Sequence, residues 1–295
     1  MDVLWREMGS VVPPEKITQE AFDRDDGHLR RLARLHPGQR AEASDLWDYT
    51  QDLRYTEIQG PLLAYFLPFC LEAWRDDVRG ADGYGGFVEN FYPVLADCRI
   101  FELYLTPTQN AAVSEFMRQT ILDEIDAQRG LIFNGTNARP YRWIRALTTH
   151  GVLFPDLQRL WNAWWSLDTT GRAISAVQYI SCLMYSEYEN PVFAPRTGER
   201  GGGPPCLWEF EGHLYAHRWL QPNVDFLRGN LSVHSARDLL VRAVNRLAGH
   251  TEFDTAAAIR DDFPLCKETV ETRCAELPKF LETVQRSTTD FRWSA

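Results

Sequence analysis

What this chain is short of narrows its chemistry before any residue is placed. Its six cysteines never lie closer together than Cys266 and Cys274, so the close pairs of a zinc ribbon or a dithiol redox motif are missing. Positive charge is scarce: 31 Lys and Arg face 41 Asp and Glu, for a formal charge of -10. Such a chain repels a phosphate backbone, which sets nucleic acid aside as a partner. Long apolar runs are missing as well. The most apolar stretch, residues 60–74, is too short to span a bilayer, and Met-Asp-Val-Leu-Trp-Arg-Glu at the start has neither the basic opening nor the apolar run of a signal peptide. The expectation is a cytoplasmic protein with buried thiols and no membrane partner.

Catalytic signatures are absent too. There is no Gly-x-Ser-x-Gly elbow, and Gly201-Gly-Gly203 does not lead into the Gly-Lys-Ser/Thr of a phosphate loop. Gly83-Tyr-Gly85-Gly86 fails as a dinucleotide fingerprint because Val88 stands where the third glycine belongs. Asp76-Asp77 and Asp261-Asp262 lack the further carboxylate that a diphosphate metal motif requires. No cofactor is expected.

What is present is apolar and aromatic. With 44% hydrophobic residues and ten Trp in 295, the chain can bury a large core in one domain or two packed lobes. Its periodicity is helical. The stretch 60–74 carries apolar side chains all round with Glu72 as its one charge, the pattern of an enclosed rod, and Pro68 predicts a kink or break within it. Before it, residues 1–13 read as a loose arm, 14–35 as a helix interrupted at Asp25-Asp26-Gly27, and 45–55 as a short helix. After it, 87–96 is helical. Thr106-Pro-Thr-Gln109 is a capping signal for a helix that ends at Gly130.

Further helices are expected over 139–149, 156–167 and 170–188, then from a Ser235 cap to Gly249. The last two run from Asp254 to Phe263 before Pro264, and over 266–284 with a break at Pro278. The fold class that follows is mainly α, a multi-helix bundle in two packed lobes, residues 1–135 and 136–295. A small β-hairpin is allowed after the Gly-Pro loop that ends at Pro205.

Tyr55-Thr56, Tyr65-Phe66-Leu67-Pro68, Phe101 and Leu105-Thr106-Pro107-Thr108-Gln109-Asn110-Ala111-Ala112-Val113 with Phe116 together resemble a family of small bacterial helical proteins of unknown function. That family shares an aromatic Leu-Pro helix followed by Leu-Thr-x-x-Gln and an amphipathic helix. The resemblance covers a minor part of the chain and implies a helical fold, with no catalytic residue or cofactor attached.

Two functional readings follow. Negative charge, abundant aromatics and a helical scaffold point to binding of another protein with a basic surface, a bacterial immunity or accessory factor being the most concrete form. Its candidate residues are Trp161 and Trp165 from a Trp-rich stripe and Glu115, Asp123, Glu124 and Asp126 from an acidic helix face. The alternative is a metal-assisted, hydrolase-like helical enzyme. In Trp208–His217, Glu209, His213 and His217 recur every four residues, so they share a face if helical, and they also share a side if extended. On the metal reading, protein purified without a histidine tag carries a divalent ion by mass spectrometry, and the H213A/H217A variant loses it. Metal content unaltered by the two substitutions ends that reading.

Overall fold

A computed structural model describes residues 3–9, 12, 13, 15, 26–80, 87–131, 139–185, 190–192 and 217–283. Among them there is no strand and there are thirteen helices. These are α1 Val3–Met8, α2 Gly27–Leu32, α3 Ala43–Asp52, α4 Gly60–Val78, α5 Phe87–Asp97, α6 Ile100–Leu103 and α7 Pro107–Asp126. They continue as α8 Arg139–Leu153, α9 Leu157–Trp165, α10 Thr170–Met184, α11 Gln221–Asn230, α12 Val233–Arg246 and α13 Phe253–Thr283. The chain forms two compact units, Met1–Thr120 and Ile121–Ala295. The division falls inside α7, upstream of the position near 135 expected from the sequence.

In the first unit α4 is the rod. Every residue from Tyr65 to Leu71 is buried, which a helix achieves only with neighbours on several sides, and α1, α3 and α5 supply them. The helix runs unbroken through Pro68. An interior proline costs about 3 kcal/mol, whereas each fully buried Leu or Phe contributes about 1.5–3 kcal/mol. The flanking Phe66, Leu67 and Phe69 are enough to offset it.

The N-terminal residues are not a loose arm throughout. Leu4, Trp5 and Met8 are buried, and the Trp5 ring meets Phe69 edge-on at 4.8 Å. Its indole N–H donates to Glu72 at 3.0 Å. The isolated charge of the rod is thereby taken up by a tryptophan, with Arg75 4.0 Å away.

α2 is fastened to α3 by polar side chains. His28 and Asp52, both buried, meet at 2.7 Å, and Arg31 donates to Asp45 through Nε at 3.0 Å and Nη2 at 2.6 Å. Arg31, though its side chain is 58% exposed, thus ties α2 to α3.

The second unit has its own rod. Every residue of α10 is buried except Thr170 and Arg172, and α9, α12 and α13 pack around it. Its first turn meets the last turn of α7 at Gly171, where a Cβ would lie 2.4 Å from the Asp126 carbonyl oxygen and 2.5 Å from that of Ile125. Asp126 is held there by Arg172, with Nε to Oδ1 at 2.8 Å and Nη2 to Oδ2 at 3.0 Å, and by the Thr169 hydroxyl at 2.6 Å. The turn from α8 to α9 is closed by one carboxamide on α11. Asn223 accepts from the Leu157 amide at 3.1 Å and donates to the carbonyls of Gly151 and Phe154 at 2.8 and 2.7 Å.

Two expected boundaries move. α12 is capped by Ser232, whose hydroxyl accepts from the Ser235 amide while the Ser235 side chain returns to the Ser232 amide. Ser235 is thus the third helical residue of a capping box and not the cap. The two helices expected after Asp254 are a single one. Ala256, Ile259, Phe263, Val270, Cys274, Leu277 and Leu281 are buried along one stripe whose three- and four-residue spacing continues in register past Pro264 and Pro278. The loop after residue 192 and the allowed hairpin lie outside the described residues as far as Ala216.

Alanine normally stabilises a helix relative to glycine by up to about 1 kcal/mol. G171A is expected to do the reverse, lowering stability by about 1–3 kcal/mol because the new methyl meets backbone that cannot swing aside. A urea titration that finds the variant as stable as the parent refutes that close approach.

Candidate binding surface

The residues singled out from the sequence come to different places. Trp161 is buried in an aromatic cluster, with ring centroids 4.4 Å from Trp165, 5.5 Å from Trp164 and Tyr179, and 6.2 Å from Phe226. Trp164 donates its indole N–H to Ser175 at 2.8 Å. Only Trp165 of the candidate pair is partly exposed, and its carbonyl accepts from Arg242 at 2.8 Å. The stripe is core at Trp161 and leaves an edge at Trp165.

The four acidic residues of α7 do not make one outer face. Glu115 is exposed and paired with Arg118, and Asp123 is half-buried. Glu124 is only 3% exposed. It lies three, four and seven residues beyond Ile121, Thr120 and Met117, all buried, so helical periodicity turns it inward. Gln128 donates to its carboxylate at 3.3 Å and to its carbonyl at 3.0 Å. Asp126 is engaged with Arg172 and Thr169. Glu209 and His213 lie outside the described residues, and His217 is half-buried beside the segment whose Trp219 amide donates to the Leu281 carbonyl at 3.1 Å. Among the described residues no group of three or more His, Cys, Asp or Glu is placed to hold a metal ion, and no helix is long and apolar enough to cross a membrane.

A surface that the sequence reading did not isolate is the outer side of α13. Opposite its buried stripe, Asp254, Asp261, Leu265, Glu268 and Glu276 recur at intervals of seven, four, three and eight residues, along about 33 Å of helix. Leu265 is 86% exposed, the most exposed of the large apolar side chains among the described residues. Around it stand six exposed carboxylates, Asp254, Asp261, Asp262, Glu268, Glu271 and Glu276, against two exposed cations, Lys267 and Lys279. Asp261 pairs with Arg260 at 2.8 Å and Asp262 accepts from the Tyr185 hydroxyl at 2.8 Å. Asp254, Glu268, Glu271 and Glu276 make no ion pair with any described residue, and their charge faces outward. Read as two helices stopping at Pro264, the sequence hides this row. It becomes visible once the helix is continuous.

Burial holds several thiols and phenols neutral. Burial raises the Cys70 thiol and the Tyr49 phenol well above their ordinary values, and pushes Cys274 up to about 11. Cys98 is raised by burial and then by the neighbouring Asp97. Tyr185 is raised by burial and by the hydrogen bond it donates to Asp262. These thiols are held protonated, the opposite of what a nucleophilic cysteine requires. No family model, no curated protein and no solved structure matches the chain.

The raised values fix a pH dependence. The unfolded chain releases thiol and phenol protons that the folded chain retains, so the contribution to stability is complete below the ordinary thiol value and is lost as pH climbs toward the folded ones. The urea midpoint is expected to hold through neutrality and to fall steadily above about pH 9. A midpoint that stays level or rises between pH 9 and 11 contradicts this.

Proposed function

We propose that the chain works by binding another protein, and that α13 presents the surface that does so. One observation carries the reading: a leucine 86% exposed in the middle of a long helix, set among six exposed carboxylates of which four make no ion pair with a described residue. An isolated exposed leucine is ordinary. Set among like charges, it has the arrangement of an apolar anchor within a charged rim, which excludes water at the centre of an interface and steers the approach from outside. The complementary partner offers a shallow apolar depression bordered by Lys and Arg.

The partner-facing role assigned from sequence to Trp161 and the α7 carboxylates passes to Leu265 and its neighbours, because Trp161 and Glu124 are spent on the interior. The net charge of -10 favours fast association with a basic surface at low salt. A bacterial immunity or accessory factor that masks such a surface on a toxin or enzyme is the specific form of this proposal, and the bacterial-family resemblance of the Tyr65–Pro68 and Leu105–Val113 segments is consistent with it.

Affinity capture with the full chain from cells that produce it is expected to recover one basic protein in near-stoichiometric amount, with affinity falling as salt rises. L265S and the charge reversal E268K/E276K should each weaken binding by roughly tenfold or more, the loss expected for a central anchor or desolvated charge. Both should leave the melting temperature unchanged, since none of the three side chains packs inside. No stoichiometric partner, or capture equally strong with both variants, rejects the proposal.

A further inference from the structure

The first unit carries a stretch of surface from which charge is missing. From Leu103 to Ser114 no residue is charged, in a chain of which 24% is. Leu103 and Tyr104 open the stretch, 60% and 36% exposed. Pro107, Thr108 and Ala111 at the start of α7 are exposed as well, and their spacing puts them on one side of that helix. Tyr55, 56% exposed, stands nearby. The Cys98 thiol donates to the Leu53 carbonyl at 3.3 Å and Arg54 pairs with Asp97 at 3.7 Å, so the end of α3 meets the end of α5, where α6 begins. Three of the six large apolar side chains exposed among the described residues gather at this end of the unit, and exposed apolar groups that cluster, unlike scattered ones, mark a place of contact.

The tip is held firmly. α6 is entered through Arg99 at φ +50°, left-handed backbone that a residue with a Cβ seldom adopts. Ile100 is fully buried beneath it, and Asn110 on α7 donates to the Phe101 carbonyl at 2.8 Å. The Thr106 amide donates to the Gln109 side chain at 2.9 Å and the Gln109 amide to the Thr106 hydroxyl at 3.3 Å. Side chains presented on a fixed support lose little freedom when they are covered.

Charge selects what covers them. At a net charge of -10, two copies of this chain repel wherever their acidic faces meet, and the carboxylates of α13 bar that face from meeting itself. Over residues 103–114 nothing opposes the approach of a second copy, and nothing attracts a basic or an acidic stranger. The border is nearly neutral: of its three carboxylates, Asp97 and Glu102 are answered by Arg54 and Arg99, which leaves Glu57. Arg99 and Glu102 are each 62% exposed and joined Nε to Oε2 at 2.7 Å. A twofold contact sets one patch against its own copy, and there Arg99 of one copy lies across from Glu102 of the other. We propose that two copies of this chain associate through this surface, with Leu103 and Tyr104 of each packed about a twofold axis against those of the other. This goes beyond the docking role of α13 and does not depend on it.

The test is sedimentation equilibrium of the full chain over a wide range of concentration, in ~0.1 M and ~1 M salt, between which the Debye length falls from about 10 to about 3 Å. A monomer–dimer equilibrium is expected, shifted toward dimer at the higher salt because screening relieves the repulsion between acidic copies. L103E and L103K should each weaken association by about tenfold or more, as like charges brought together at the centre of an interface do. An equimolar mixture of the two regains it through opposite charges, which separates lost contact from lost folding. A parent chain that stays monomeric, or binds phosphatidylcholine vesicles as a monomer, overturns the proposal. So does a dimer that dissolves as salt rises, an L103E chain that dimerises like the parent, or a mixture no more associated than its components. L265S should dimerise as the parent does and L103E should capture a basic partner through α13 undiminished, so failure here is distinguishable from failure of the docking role.

Discussion

A helix with apolar side chains on every side has no face that it can show to water. It must be enclosed, and the elements around it are recruited by that need. α4 and α10 are both of this kind, one in each unit, and most of the tertiary structure follows from surrounding them. The driving term is large and undirected: burying one leucine or phenylalanine side chain is worth about 1.5–3 kcal/mol, and each rod buries many. That is why Pro68 does not break α4 and why Pro264 and Pro278 do not break α13. A local penalty of about 3 kcal/mol per proline is distributed along helices whose apolar stripes continue past it. Local grammar yields where the stripe stays in register.

Apolar burial alone would leave these helices free to slide and rotate. Polar side chains restrict them to one arrangement, and in the second unit they do so at helix ends, where backbone groups lack partners. Asn223 serves the orphan carbonyls of Gly151 and Phe154 and the Leu157 amide, so one side chain sets the angle between α8 and α9. Arg172 and Thr169 hold Asp126 against the first turn of α10, and Gly171 lets the backbones approach to the distance at which those bonds form. In the first unit His28–Asp52 and Arg31–Asp45 do the same for α2 and α3. Bonds of this type contribute only about 0.5–3 kcal/mol each in net terms, less than the rods. Leaving one partner buried without the other costs more, and that asymmetry is what selects a single packing.

The all-α class and nearly every long helix were legible in the sequence, because periodicity and capping residues report on local structure directly. The rod at residues 60–74 and the Thr106–Gln109 cap follow from that grammar, whereas α7 ends at Asp126 and α12 at Arg246, short of the positive-φ glycines Gly130 and Gly249 expected to close them. The helix Gln221–Asn230 was not foreseen at all, and three further features were not legible. The N-terminal helix is too short for periodicity to register, and only the partner ring of Phe69 makes Trp5 a core residue. Glu124 reads as a surface carboxylate by composition, yet its helical phase matches that of Met117 and Ile121. The α13 face was concealed by treating proline as a stop. In each case the missing information was tertiary: which side of the element meets the core.

The same distinction bears on where function can reside. Tryptophans, acidic residues and buried cysteines stand out in a composition, but here most of them do structural work: Trp161 and Trp164 fill the second unit, Asp126 and Glu124 turn inward, and burial keeps Cys70 and Cys274 protonated. A group already committed to the interior has little interaction energy left to offer a partner or substrate. What remains on α13 is Leu265, flanked by exposed carboxylates of which Asp254, Glu268, Glu271 and Glu276 make no ion pair with a described residue. Interaction free energy that folding does not consume is what recognition can use, and along α13 it gathers around Leu265.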